Sequence, residues 1–359
     1  VLSAGSSVET QWRSYCDAIL YACLSGQAGA RAVADALTGV VNPSGKLAET
    51  WIEKYEDTPS LHHFAGKGRN VEYREGIYIG YRYYQKTNTA VAYPFGFGLS
   101  YTTFKYSDIS ADADSVSFTV TNTGSFAGKE ISQLYISAPG KMVFTPEREL
   151  KGFAKTSLEP GESKRVTIAL DDKAFRYWNV KTGSWEREGG DYVIAVGRSA
   201  EDIVLRSTVS IKGTTTEKPY DMSKLSHYAS GEVQNVGKEE FETLLGNAVP
   251  DGRPDISRNM TLGEMNHGRS PLCWLVWAIL TGMLNRSLKK GRPDLNLLFQ
   301  LNMPLRGLAK MTSGMISMGM VDGIVLELKG FWFIGIIKVL IEFVKNIVQN
   351  RQLEKRLYR

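Results

Sequence analysis

From Val116 the apolar positions fall on every second residue: Val116, Phe118 and Val120 alternate with Ser and Thr until Thr121-Asn122-Thr123-Gly124 turns the chain. Strand-like runs follow at 131–136, 149–155, 163–170, 175–180 and 192–196. They are separated by Leu158-Glu159-Pro160-Gly161-Glu162, Thr182-Gly183 and Gly189-Gly190-Asp191, turns in which Pro presets φ and Gly supplies conformations other residues resist. Strands at this spacing over about 100 residues predict an antiparallel β-sandwich, placed at 109–212.

On either side the period changes. Upstream, Asp17-Ala18-Ile19-Leu20-Tyr21-Ala22-Cys23 reads as a short buried strand. Gly26-Gln27-Ala28-Gly29 then opens a helical pattern over 30–37 that Gly39 stops. Strand, glycine loop and helix make half of a doubly wound unit, whose loop either receives a ligand or only permits tight packing. Downstream, Gly213-Thr214-Thr215-Thr216-Glu217-Lys218-Pro219 begins a linker, 213–228, and residues 229–359 read as a helical extension. Phe241, Leu244 and Leu245 stand at helix spacing, Pro271 fits the first turn of an apolar helix, and residues 302–306 break the next pattern. The apolar helix expected over 331–349 carries Lys338, Glu342 and Lys345 on one face. It fits a small bundle packed on a larger body, or, with Phe331, Trp332 and the basic end Lys355-Arg356, a membrane-surface contact.

Residues 53–70 form a polar stretch with Glu53, Glu56, Asp57, His62, His63, Lys67 and Arg69, read as a long loop that is either solvated or ligand-facing. Adjacent histidines point apart in extended chain and make a poor metal pair. Glu75 lies beside Arg74 and before Tyr78, Tyr81, Tyr83 and Tyr84; it fits an ion pair with Arg74 or Arg82, or an acid/base.

Composition bounds the function. The 359 residues suffice for two or three domains, and 43% hydrophobic with 23% charged residues is ordinary for a soluble protein. A net charge of +5, with Lys and Arg mixed among Asp and Glu, disfavours nucleic acid as a partner. Cys16, Cys23 and Cys273 show no C-x-x-C or Cys/His ligand spacing and read as free thiols of a reducing compartment, hence a cytoplasmic setting. No targeting segment is visible, and the chain reads as starting in mid-protein. There is no Ser/His/Asp arrangement, P-loop or zinc signature, so no metal or cofactor is expected. Gly96-Phe97-Gly98 lacks the third glycine of a dinucleotide fingerprint and is followed by strand.

Taken in order, these motifs have a family resemblance. Asp17-Ala18-Ile19-Leu20, Gly26-Gln27-Ala28-Gly29, Ala34-Asp35-Ala36-Leu37-Thr38-Gly39, Asn42-Pro43-Ser44-Gly45-Lys46-Leu47, Glu75-Gly76-Ile77, Gly80-Tyr81-Arg82-Tyr83-Tyr84 and Pro94-Phe95-Gly96-Phe97-Gly98-Leu99-Ser100-Tyr101 together resemble glycoside hydrolase family 3, the β-glucosidase group. Glu149-Leu150-Lys151-Gly152-Phe153, the Leu158 turn and Gly190-Asp191-Tyr192 resemble its fibronectin type III-like module. The resemblance covers 1–211, and the helical tail is similar to appendages of some bacterial members.

It implies a multidomain chain: a partial α/β sandwich (1–108), a fibronectin type III-like β-sandwich (109–212), and the helical extension. It also implies retaining hydrolysis of terminal β-linked glycosides by two carboxylates about 5 Å apart. The family's nucleophile is an aspartate in a Ser-Asp-Trp motif of an N-terminal TIM-like barrel, and its acid/base glutamate lies upstream of the segment matching 17–20. No Ser-Asp-Trp occurs here, so no catalytic residue is assigned and both positions are expected before Val1. Gly26-Gln27-Ala28-Gly29 also lacks the carboxylate of the usual Gly-Gln-Glu-Gly. The loop 61–75, with Arg69 and Glu75 as substrate-binding candidates, is expected to border a sugar site built by the barrel. The alternative is a non-catalytic carbohydrate-binding or scaffold module using Tyr177, Trp178 and Trp185.

Overall fold

Helix α1 (Gly29–Leu37) and the short α2 (Tyr81–Lys86) are the α-helices found among the described residues of the first hundred in the computed structural model, which describes residues 1–66 and 69–357. Lys67 of the polar loop lies outside the described residues. The run 17–23 does not form an extended strand: Tyr21 makes one parallel bridge to Leu2, closed by Leu2 N–H to Leu20 O and Ala22 N–H to Leu2 O. A parallel strand is stabilised by neighbours on both edges, and here only Leu2 is paired.

The sandwich is built from β1 (Phe104–Ala111), β2 (Ser115–Asn122), β3 (Gly128–Ser137), β4 (Glu149–Leu158), β5 (Ser163–Ala169), β6 (Tyr177–Asn179), β7 (Ser184–Glu186), β8 (Gly190–Gly197) and β9 (Ile203–Ile211). One sheet is ordered β1-β2-β5, the other β4-β3-β8-β9, and β6-β7 form a separate ribbon, with every pairing antiparallel. In β2 burial alternates, so that Val116, Phe118 and Val120 meet Leu134, Ile136, Ile194 and Val196 of the other sheet. Strand β3 is buried on both faces: Leu134 and Ile136 enter that core, while Tyr135 joins a second cluster with Tyr81 and Phe95. This second face is where residues before the sandwich attach to it.

Residues 213–228, expected as a linker, include the start of α3 (Ser226–Ser230), with Leu225 and Tyr228 fully buried. The apolar spacing Leu225, Tyr228, Val233, Val236 supplies a face that packs on Ile52, Tyr78, Tyr83 and Tyr84. Helix α4 (Lys238–Leu245) follows, ending at Gly246 in the left-handed conformation. These residues belong to a first compact unit, Val1–Ala65 with Val71–Val249.

The second unit comprises Gly66, Arg69, Asn70 and the helical region from Pro250. It contains α5 (Pro271–Lys289), α6 (Leu295–Asn302), α7 (Leu305–Met311), α8 (Met318–Leu328) and α9 (Trp332–Leu357). Pro271 opens α5 at its first position behind the Ser270 cap, and Pro304 separates α6 from α7, both as the pattern predicts. Its core is Met260, Leu262, Met265, Met303, Leu305, Val321, Val325 and Leu328. No helix among the described residues is long and apolar enough to cross a membrane. The three cysteines are free, Cys16 and Cys23 exposed and Cys273 buried.

Candidate functional site

The polar loop is pinned at its start. Arg13 and Glu53 form a two-pronged pair (2.7 and 2.5 Å), Glu9 accepts from Tyr55 N–H, and Gln234 Nε2 donates to the carbonyls of Glu56 and Thr58. His62 is exposed, whereas His63 is half-buried with no partner for Nε2 among the described residues. Burial first, and then the positive charge of Arg74, push the His63 pKa down, which favours the neutral ring.

The two candidate residues fall in different units. Arg69 belongs to the second, where its guanidinium grips Glu264 (Nε–Oε1 and Nη2–Oε2 both 3.0 Å) and its amide donates to Gly252 O. Glu264 also receives Thr261 N–H in a capping box at the start of a 3-10 turn, 262–267. Burial raises the Glu264 carboxyl, but Arg69 and the Thr261 donors together outweigh it and hold the pKa below the usual carboxylate range. The pair is one-third exposed on the arginine side. Arg69→Ala is therefore expected to cost about 1 kcal/mol or less, read as a small shift of the urea midpoint.

Glu75 is buried to 9% exposure in a turn in which Gly76 has φ +54° and sits against the Tyr228 ring. The expected ion pair with a neighbouring arginine is not formed. Arg74 bonds Glu72 (2.6 Å) and Val236 O and lies 5.6 Å from the Phe241 ring centroid, while Arg82 pairs with Glu149 at 3.2 Å. Each guanidinium finds a different carboxylate, at i−2 for Arg74 and on β4 for Arg82.

The best-defined polar assembly joins the glycine junction to β3. Gln133 Nε2 donates to Gly96 O (3.0 Å) and Arg198 O (2.8 Å), and its Oε1 accepts from Tyr135 Oη (2.6 Å). Beside it Lys46 Nζ lies 3.4 Å from Glu130 Oε2 and donates to Gly98 O, while Tyr106 Oη donates to Glu130 Oε1. Asn42 completes the joint, accepting from Ser100 Oγ and Tyr101 N–H and donating to Ala127 O. Sequence reasoning missed Lys46, Glu130 and Gln133. The available signal was polar residues at 130, 132 and 133 inside a strand whose neighbours are apolar.

On the small ribbon Trp178 and Trp185 stand as a cross-strand pair, 49% and 43% exposed, with centroids 5.7 Å apart at 74°. Their edge-to-face arrangement, with Lys173 Nζ 5.2 Å from the Trp185 centroid, covers one ring by the other instead of offering a flat double platform. Tyr177 is turned inward toward Thr215 and Glu186. The buried carboxylates of the sandwich serve structure: Glu186 accepts from Asn179 and Thr182, which lower its pKa, and Glu188 accepts from Lys141 and Met142 N–H. Among the described residues no hydrogen bond joins two carboxylates, and no cluster of three or more His, Cys, Asp or Glu could hold a metal.

Comparison with known proteins places this geometry. The family model of the glycosyl hydrolase family 3 C-terminal domain matches residues 1–101, and that of the fibronectin type III-like domain matches 130–200. The chain is 48% identical over 222 residues to thermostable beta-glucosidase B of Acetivibrio thermocellus, covering 60% of this chain and 29% of that protein. It is 42% identical over 244 residues to the exo-alpha-(1->6)-L-arabinopyranosidase of Bifidobacterium breve, covering 66% of this chain and 32% of the relative. Among solved structures, the Kluyveromyces marxianus beta-glucosidase in complex with glucose superposes with TM-score 0.56 at 42% identity, over 58% of this chain and 26% of that one. The Bifidobacterium adolescentis GH3 beta-glucosidase superposes with TM-score 0.57 at 35% identity, over 76% and 36%. The chain thus spans about a third or less of the curated relatives described here.

Proposed function

We propose that this chain, which carries the C-terminal domain of glycoside hydrolase family 3 followed by a fibronectin type III-like domain, is the C-terminal portion of an exo-acting, retaining β-glucosidase-like enzyme. In this reading its own residues position structure, and the nucleophilic aspartate and the acid/base glutamate stand on other parts of the protein. The observation that carries it is the 48% identity to a beta-glucosidase over a stretch that makes up only 29% of that protein. The absence of a Ser-Asp-Trp sequence from the 359 residues agrees with it.

Physically, the joint built from Asn42, Lys46, Glu130 and Gln133 would hold the α/β piece in fixed orientation on the β-sandwich. Displacing a reacting group by about 1 Å can cost about 100-fold in rate, so a rigid scaffold behind the site serves catalysis without touching substrate. The purified 359-residue protein is expected to leave an aryl β-glucoside at its uncatalysed rate, at least about 10⁶-fold below a functioning enzyme. A longer form bearing a barrel with a Ser-Asp-Trp aspartate is expected to release glucose with retained configuration. Turnover by the 359 residues alone would overturn the reading.

A further inference from the structure

Helix α9 is built inside out. Its polar and small residues face α8 and the turn before it. Asn346 Nδ2 donates to Gly314 O (2.7 Å) and Met315 O (3.1 Å), Asn350 Nδ2 donates to Gly314 O (2.9 Å), and Lys338 Nζ lies 3.9 Å from Asp322 Oδ2. Gly335 meets Gly323 so closely that a Cβ on it would stand 2.6 Å from the Gly323 carbonyl oxygen. The opposite face is apolar and open: Phe333, Ile334, Ile337, Leu340, Ile341 and Val344 are each 50–65% exposed. At the helical advance of about 100° per residue these six occupy an arc of about 120°. Arg351 and Lys355, both exposed, continue the same stripe toward the C-terminal end.

The pattern is repeated on α5. Leu272, Leu275, Val276, Ile279 and Met283 lie on one face by the same spacing, all exposed, and the stripe runs into Arg286 and Lys290. The charge of the region agrees in sign. Residues 250–359 contain 16 Lys and Arg against eight Asp and Glu, whereas the whole chain is only +5. A soluble protein rarely leaves so many large apolar side chains in one exposed stripe without a partner. Two copies meeting through this region would bring two strongly positive bodies together, whereas an anionic lipid surface attracts each basic residue. The helix does not meet the requirements for spanning a bilayer, so the geometry suits lying in the interface.

We propose that the exposed stripe of α9 docks on an anionic lipid bilayer, its apolar side chains entering the headgroup boundary and its basic end pairing with lipid phosphates. The proposal is independent of the catalytic reading above. It is tested with the full 359-residue protein and two vesicle preparations, phosphatidylcholine alone and phosphatidylcholine mixed with phosphatidylglycerol, by co-sedimentation at low and high salt. Binding to the phosphatidylglycerol vesicles is expected to be at least about tenfold stronger than to phosphatidylcholine and to weaken with salt. The double variant Ile337→Gln/Val344→Gln, altered only at exposed positions, is expected to bind about 100-fold more weakly while keeping the parent's circular dichroism. The variant Arg351→Ala/Lys355→Ala is expected to lose most of the preference for the charged vesicles. Absence of binding to both vesicles, binding that the Gln variant does not change, or a stable dimer that persists with anionic vesicles and excludes them would overturn it.

Discussion

Replacing Lys46 with methionine is expected to destabilise the first compact unit by about 3 kcal/mol, the lower end of the cost of breaking a buried ion pair. Lys46 and Glu130 side chains are 11% and 3% exposed, and their charged atoms are 3.4 Å apart. Methionine matches the length of the lysine stem, so packing is retained and the loss is electrostatic. What remains is a carboxylate in the sandwich interior that accepts from Tyr106 Oη and has lost the cation paired with it. Removing the charge from both sides is a different experiment. In Lys46→Met/Glu130→Gln the Gln carbonyl still accepts from Tyr106, and much of the lost stability is expected to return. Urea unfolding followed by tryptophan fluorescence reads both, and a double-mutant cycle gives the coupling directly. A Lys46→Met loss below about 0.5 kcal/mol would place the pair among ordinary surface pairs.

That pair shows why the sequence revealed the domains better than the joint between them. The alternation of Val116, Phe118 and Val120 is local, and the structure turns it into the sandwich core as expected. Pro271 at the start of α5 is equally local, because a proline there loses no intrahelical bond. Lys46 and Glu130 are far apart in sequence, and nothing in the turn Asn42-Pro43-Ser44-Gly45-Lys46 announces that its lysine is enclosed. The same limit applies to Leu225 and Tyr228, whose partners Tyr78, Tyr83 and Tyr84 lie well over a hundred residues away, so their segment read as a linker. Strands β1, β7 and β9 lie outside the runs legible in the sequence, since β7 is only three residues long and Lys105, Ser107 and Asp108 or Arg206, Ser207 and Thr208 interrupt the apolar signal. Helix α9 was legible as a helix with its charges on one face. That this face turns toward α8 depends on the carbonyls of Gly314 and Met315, which only the folded chain places there. The surroundings of the site candidates were equally hidden: Arg69 and Glu75 are six positions apart, yet Arg69 is held with Glu264 in one unit and Glu75 is buried in the other.

Gly96→Ala is expected to cost about 3–4 kcal/mol, from left-handed strain and a lost buried hydrogen-bond set. Gly96 has φ +79°, and a Cβ there would stand 1.9 Å from Gln133 Oε1. A flexible side chain could retreat, but Gln133 is held by three partners, Gly96 O, Arg198 O and Tyr135 Oη, and is 3% exposed. Moving it leaves buried donors and acceptors unmet. Gly98→Ala acts on the other side of the joint, where its Cβ would lie 2.4 Å from the Gly45 carbonyl oxygen, a backbone atom that cannot rotate away. Relief requires the 42–47 turn to withdraw, which stretches Leu47 N–H to Phe97 O and Gly96 N–H to Leu47 O, both 2.8 Å, and carries Lys46 away from Gly98 O. Because that displacement already weakens the Lys46–Glu130 pair, Gly98→Ala and Lys46→Met are expected to be less than additive by about 1 kcal/mol or more. The measurement is the set of urea midpoints for the two single variants and the double variant. Full additivity would mean that the turn stays in place when Gly98 is substituted, and that the two glycines and the buried lysine do not form one joint.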